Sequence, residues 1–141
     1  MPVDAFAHTF AVAAPPARVY AHLADPQSYV GLSPLVVAVR DVHTEGDRVS
    51  YVALERFRFA TNPIRVTMTL DPRAPALVSE VVSPGRVRLR AAVTLTPSGA
   101  GTEVTETITV ESPSLLRRYV LRQAKAVQRK RAAELARRMG A

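Results

Sequence analysis

The sequence contains no cysteine. That excludes a disulfide framework, a thiolate metal site and a cysteine nucleophile, and it fits a reducing compartment. No apolar run approaches the ~18 residues of a membrane span. The opening MPVDAFAHTF has neither a basic n-region nor an apolar h-region, so no secretory leader is expected. The expected location is the cytoplasm. The three histidines, His8, His22 and His43, show no zinc spacing, and HExxH is missing. No metal and no cofactor are therefore expected. GLSP at 31–34 is not a nucleophile elbow. GAG at 99–101 leads into no helix, so it is not a phosphate cradle.

Acidic residues are scarce at one end only. Residues 1–113 hold 10 Lys and Arg against 11 Asp and Glu, while residues 114–141 hold 9 against one, Glu134. The net charge of +7 thus belongs to the tail and not to the whole chain. Nothing interleaves aromatic rings with this charge except Tyr119, and no DNA-binding motif precedes it, so nucleic acid is not an expected partner. Reversible contact with an anionic membrane surface stays open as a role for the basic helix. The plain alternative is a solvated helix face.

The chain of 141 residues reads as a single domain, 1–141, with no internal repeat or low-complexity linker. Residues 5–12, AFAHTFAV, alternate with period two and predict a strand. Pro15-Pro16 opens a short helix over 16–24, with Val19, Tyr20 and Leu23 on one side. Asp25-Pro26 is a second start signal, predicting another short helix through PQSYVGL. Six strand patterns follow: 35–44, 48–59, 64–71, 74–82, 86–95 and 102–111. EGD (45–47) is read as a hairpin turn and TNP (61–63) as a break. Consecutive strands on short connections predict an antiparallel meander. Ser112-Pro113 then opens a helix of about 26 residues, roughly 40 Å long. Its inner stripe is Leu116, Val120, Ala124 and Val127, spaced 4, 4 and 3. Arg117, Arg118, Arg122, Lys125 and Arg129 fall mostly off that stripe. The stripe decays after Val127, and Leu121, Ala132, Leu135 and Met139 take over at a shifted angle. The last turns are therefore expected to be rotated, bent, or packed on a partner such as a second copy in a homodimer.

The opening FAHTFAVAAPPARVYAHLADPQSY resembles the start of the Bet v 1-like, START-like (SRPBCC) superfamily, in particular its bacterial polyketide cyclase/dehydrase and lipid-transport group. The shared features are the strand 6–12, Ala14-Pro15-Pro16, the pair Val19-Tyr20 and Asp25-Pro26. The order of elements agrees along essentially the whole chain. The motif marks fold more than chemistry. Members commonly carry a tryptophan soon after the Asp-Pro helix, where this chain reads YVGLSPLV. The resemblance implies an α+β helix-grip fold: a seven-stranded antiparallel sheet (β-α-α-β6-α) wrapped around the long C-terminal helix, with a cavity between them. It also implies a small apolar ligand, of lipid, polyketide or aromatic type.

Polar residues on an otherwise apolar concave face are the informative ones, because burying them is costly unless they are partnered. His8 lies between Phe6 and Phe10. Glu106 shares its phase with Val104, Ile108 and Val110. In the helix-grip order the first and last strands are neighbours, which sets His8 and Glu106 opposite each other. A carboxylate there would raise the histidine's pKa, and the pair could act as general acid and base in a cyclisation or dehydration. A structural hydrogen bond, or no contact, are the plain alternatives. Glu55 shares a phase with Tyr51, Phe57 and Phe59 and is a candidate to orient a polar ligand group, and Ser79 is a small polar lining residue. Arg86, Arg88 and Arg90 are read as a solvated convex face. The expected cavity lining is Phe6, His8, Phe10, Tyr51, Glu55, Phe57, Met68, Leu89, Glu106, Leu116, Val120 and Ala124. Three functions compete: a carrier or binding protein, a cyclase/dehydratase-like enzyme, and a peripheral membrane or interaction module.

Overall fold

The computed structural model describes residues 1–140. Seven strands build one antiparallel sheet: β1 (Val3–Val12), β2 (Val36–Glu45), β3 (Arg48–Phe57), β4 (Ala60–Asp71), β5 (Ala76–Ser83), β6 (Val87–Ser98) and β7 (Gly101–Glu111). Their order across the sheet is β1-β7-β6-β5-β4-β3-β2. Strands β2 to β7 are laid down as successive hairpins, and β1 closes the far edge against β7. Helix α1 (Pro16–Leu23) follows β1, and helix α2 (Arg117–Arg138) ends the chain. The sheet curves around α2, which gives the expected helix-grip architecture.

Period-two patterning chose the inner face. In β4, Ile64, Val66 and Met68 are all buried, while Arg65 between them is exposed. Arg86, Arg88 and Arg90 are exposed, as the opposite phase requires. Residues 101 and 102 pin the turn after β1. Thr102 Oγ1 donates to the Ala14 carbonyl at 2.7 Å in a fully buried position. A Cβ on Gly101 would collide with the Val12 carbonyl oxygen, so only glycine lets the two backbones approach there.

Two local expectations are corrected. The segment after Asp25 forms only a 3₁₀ turn, Pro26–Tyr29, and not a full helix. Asp25 caps it by accepting from the Gln27 amide at 3.0 Å, and the chain turns extended at Val30, one residue before Gly31 at φ +79. The break expected at 61–63 is strand instead. The reversal falls at Arg58-Phe59, with Phe57 paired to Ala60 and Pro63 paired to Leu54. Strand β5 joins β4 only from Arg65 onward. Pro63 thus sits on a stretch with one open side, where a missing N–H is tolerated.

Helix α2 is one continuous element. Its buried positions are Ala124, Gln128, Ala132 and Leu135, and Met139 just beyond it is buried too. The inward stripe does not decay after Val127, because it runs through Gln128. The sealed end of the molecule gathers Val12, Val19, Leu23, Leu32, Leu95, Val104, Leu135 and Met139 into one core. Arg138 fastens this end: its guanidinium donates to the Ser28 carbonyl at 2.6 Å and the Val30 carbonyl at 3.1 Å, and lies 3.2 Å from His22 Nε2. Burial, with the Arg138 charge adding to it, lowers the His22 pKa.

Candidate functional site

Helix α2 leans toward β1, so the concave face of β3, β4 and β5 has no helix directly upon it. The space left is a cavity of about 290 Å³. Val66, Leu77, Val81, Leu89, Ala91 and Val93 form its floor, and Val120, Ala124, Val127 and Leu135 its roof. Lining residues at the sealed end (Leu77, Val93, Val104, Leu135) are buried, whereas Val81, Ser83, Leu89, Val120 and Gln123 at the other end are half-exposed. The cavity therefore opens where β5 turns into β6 beside the start of α2.

One wall is polar. Arg131 reaches inward from α2 and donates to Glu106 Oε1 at 2.8 Å and to Ser33 Oγ at 3.2 Å. Both charged side chains are largely buried, at 18% and 11% exposure, so water screens the pair poorly. Burial alone would lower the Arg131 pKa, but the charge and hydrogen bond of Glu106 offset that and raise it. Gln128 Nε2 donates to the Glu106 carbonyl at 3.1 Å, which ties the helix to β7. Tyr29 donates to the Leu23 carbonyl at 2.7 Å, and its ring stacks with that of Tyr51 at 6.3 Å. Burial pushes both phenols up and keeps them neutral.

Glu55 completes this wall differently. Its carboxyl lines the cavity with no ion-pair or hydrogen-bond partner among the described residues. Burial raises its pKa, and the charge on Arg131 only partly counters that. The wall therefore combines a fixed ion pair with an uncommitted carboxyl and a neutral phenol.

Of the residues expected to line the cavity, Phe10, Tyr51, Glu55, Leu89, Glu106, Val120 and Ala124 do so, and so does Ser79. Phe6 and His8 instead line a separate shallow groove with Lys125, Gln128 and Arg129. Met68 is fully buried within the core under β2, β3 and β4. Leu116 is 38% exposed, close to Gly85. Phe57 lies at the β3–β4 tip with the Arg58 guanidinium 5.5 Å over its ring. His8 and Glu106 are cross-strand partners in register, as the strand order implied. They form no acid–base pair, however: Arg131 holds the Glu106 carboxylate on the cavity side, while His8 stacks on Phe10 at 5.6 Å.

The polar wall contains residues that sequence patterning did not single out: Arg131, Gln128, Tyr29 and Ser33. Arg131 lies where the stripe Leu116, Val120, Ala124, Val127 continues, and its charge breaks the apolar pattern there. The signal that would have found it is the spacing Ala124, Gln128, Ala132, Leu135, Met139, which fixes an inward side only if a glutamine is allowed within it.

Most of the remaining basic face is solvated as expected: Arg118, Arg122, Lys125, Arg129 and Lys130 are exposed. Arg117 is bidentate to Asp4, at 3.0 and 2.7 Å. Among the described residues no helix is long and apolar enough to cross a membrane, and no cluster of three His, Asp or Glu side chains could hold a metal ion.

Residues 4–140 match the family model described as polyketide cyclase / dehydrase and lipid transport. The ZhuI aromatase/cyclase from Streptomyces sp. R1128 superposes with a TM-score of 0.77 at 19% identity, covering 99% of this chain and 98% of that one. The di-domain ARO/CYC BexL from the BE-7585A biosynthetic pathway gives 0.83 at 14% identity; 99% of this chain is covered, but 50% of that one, so this chain spans half its length. Ara h 8.0201 gives 0.72 at 11% identity, over 95% and 98% of the two chains. At these identities the likeness is one of fold. Among curated proteins none matches the sequence.

Proposed function

As the chain belongs to the polyketide cyclase/dehydrase and lipid-transport family, we infer that its cavity takes up a small, largely apolar molecule bearing oxygen at one end, of polyketide, lipid or aromatic type. The observation that carries this reading is the division of the cavity: a broad apolar floor and roof, and one wall with Tyr51, Glu55 and Arg131. Apolar burial at roughly 25 cal/mol per Å² supplies the driving force. The polar wall sets orientation, since an oxygen placed there meets donors already desolvated. Arg131 is held by Glu106 and Ser33, so its remaining N–H groups are fixed in direction.

Native mass spectrometry of the freshly purified protein tests the reading and is expected to show a retained small molecule. Ser79→Phe, which fills the floor, is expected to abolish that retention while the fold survives. Retention undiminished in the filled variant would count against the cavity.

A second reading, cyclase- or dehydratase-like catalysis, is favoured by Glu55 specifically. Burial raises the Glu55 pKa; in its protonated form such a carboxyl can donate to a carbonyl or to a departing hydroxyl, and as carboxylate it can accept an acidic C–H proton. Glu106, committed to Arg131, is poorly suited to that work. Glu55→Gln should then keep binding and lose turnover; equal retention of both would leave the carrier reading alone.

A further inference from the structure

Three protrusions surround the open end of the cavity. The sheet register places the β3–β4 tip, the β5–β6 turn and the start of α2 at the same end of the molecule. A Cβ on Gly85 would lie 3.4 Å from Leu116, so the turn and the helix start are in contact. The β3–β4 tip extends five residues beyond Arg65, the last β4 position paired to β5.

Large apolar side chains stand unpacked on each protrusion. Phe59 is 106% exposed, Leu115 99%, Val82 59% and Tyr119 49%. Water around an isolated phenylalanine at a hairpin tip is unfavourable, and no packing in the monomer compensates it. The charge here is predominantly positive; the acids beside it include Asp4, bound to Arg117, and Glu111, cross-strand from Arg88. Residues 56–61, 82–88 and 114–122 carry Arg56, Arg58, Arg86, Arg88, Arg118 and Arg122 and contain no Asp or Glu. The remaining arginine of these segments, Arg117, is bound to Asp4.

We propose that this end of the molecule docks on an anionic lipid bilayer, with Phe59 and Leu115 entering the interface and the surrounding arginines meeting lipid phosphates. Charge complementarity selects an anionic surface. The form of the apolar groups selects a bilayer over a folded protein: single side chains on separate tips match a soft interface that closes around each one, whereas a protein partner would need a preformed pocket for each. Arginine suits this setting because its stem lies along apolar surface while its head reaches phosphate. The cavity mouth would then face the bilayer, and an apolar molecule could pass between them with little exposure to water.

The chain has no tryptophan, so Phe59→Trp introduces a single fluorescent reporter. The test is co-sedimentation and emission of this variant with vesicles of phosphatidylcholine containing about a third phosphatidylglycerol, and with phosphatidylcholine alone. The expected result is binding and a blue-shifted emission with the anionic vesicles only, both lost at high salt. Arg58→Gln and Arg118→Gln should each weaken binding about fivefold. Leu115→Ser should weaken it further, while Lys130→Gln, far along the same helix, should change it by less than about twofold. Absence of vesicle binding, binding without the blue shift, or equal loss in Lys130→Gln would overturn the proposal. So would capture by an acidic protein with none by vesicles. Cavity occupancy is read separately by mass spectrometry, so failure of one result leaves the other interpretable.

Discussion

The two ends of α2 are built on opposite plans. At its C-terminal end Leu135 and Met139 are buried against α1, β1 and β7, and Arg138 satisfies carbonyls of the 26–30 segment. At its start Leu115, Leu116 and Tyr119 remain exposed, and the helix is held by partly buried Val120 and Leu121 against Val87, Ile108 and Val110 and by an ion pair from Arg117 to Asp4. The difference teaches that closed packing and open surface are separated along one helix. A closed core at one end holds the rod in place. The other end is thereby free to leave a space beneath it and to expose groups that a core would have absorbed.

The junction between the two plans is Arg131, and breaking it should have the largest effect. Arg131→Met leaves the Glu106 carboxylate buried without its partner and is expected to cost about 3–5 kcal/mol in denaturant unfolding. The double variant Glu106→Leu with Arg131→Met should return to the parent's stability or exceed it, since desolvation of both charges is removed. At the closed end, Leu135→Ala should cost about 2–5 kcal/mol by opening a void in packed surroundings. A loss below about 1 kcal/mol would mean that this core is looser than its burial implies.

Glu55 sharpens the contrast through pH. Its folded-state pKa lies above the ordinary 4.5 because burial disfavours the charge. The folded state therefore holds its proton longer than the unfolded chain does. Stability falls as pH rises from 4.5 through the folded value, and the loss stays constant above it. Glu55→Gln should thus raise the melting temperature at neutral pH, with the gain vanishing at and below pH 4.5. A gain independent of pH would show that Glu55 is solvated. Smallest of all, Leu115→Ser should move unfolding by no more than about 0.5 kcal/mol, because nothing packs on that side chain.

The strands were legible from alternation, because a sheet with one buried face imposes period two on its sequence. Ile64, Val66 and Met68 show this directly. The hairpin at Arg58-Phe59 was not legible. Pro63 is the stronger local signal for a break, and only the short reach of β5 makes proline acceptable there. Within the cavity, Tyr51, Glu55 and Glu106 were legible as polar or aromatic positions on an apolar phase. Arg131 and Gln128 were not, because a hydrophobic count treats them as outward. Their partners, Glu106 and Ser33, lie in other elements, at 22–25 and 98 residues' separation.

By itself the sequence determined the order of elements, the inner face of each strand and the concentration of positive charge in the last helix. These follow from local backbone geometry and side-chain periodicity, which neighbouring residues specify among themselves. Only the tertiary structure decided which charges turn inward, that Glu106 answers to Arg131 and not to His8, and that the exposed apolar tips gather around the mouth of the cavity. Those outcomes depend on the lean of α2 across the sheet, and a helix's lean is set by packing between distant elements that no local pattern records.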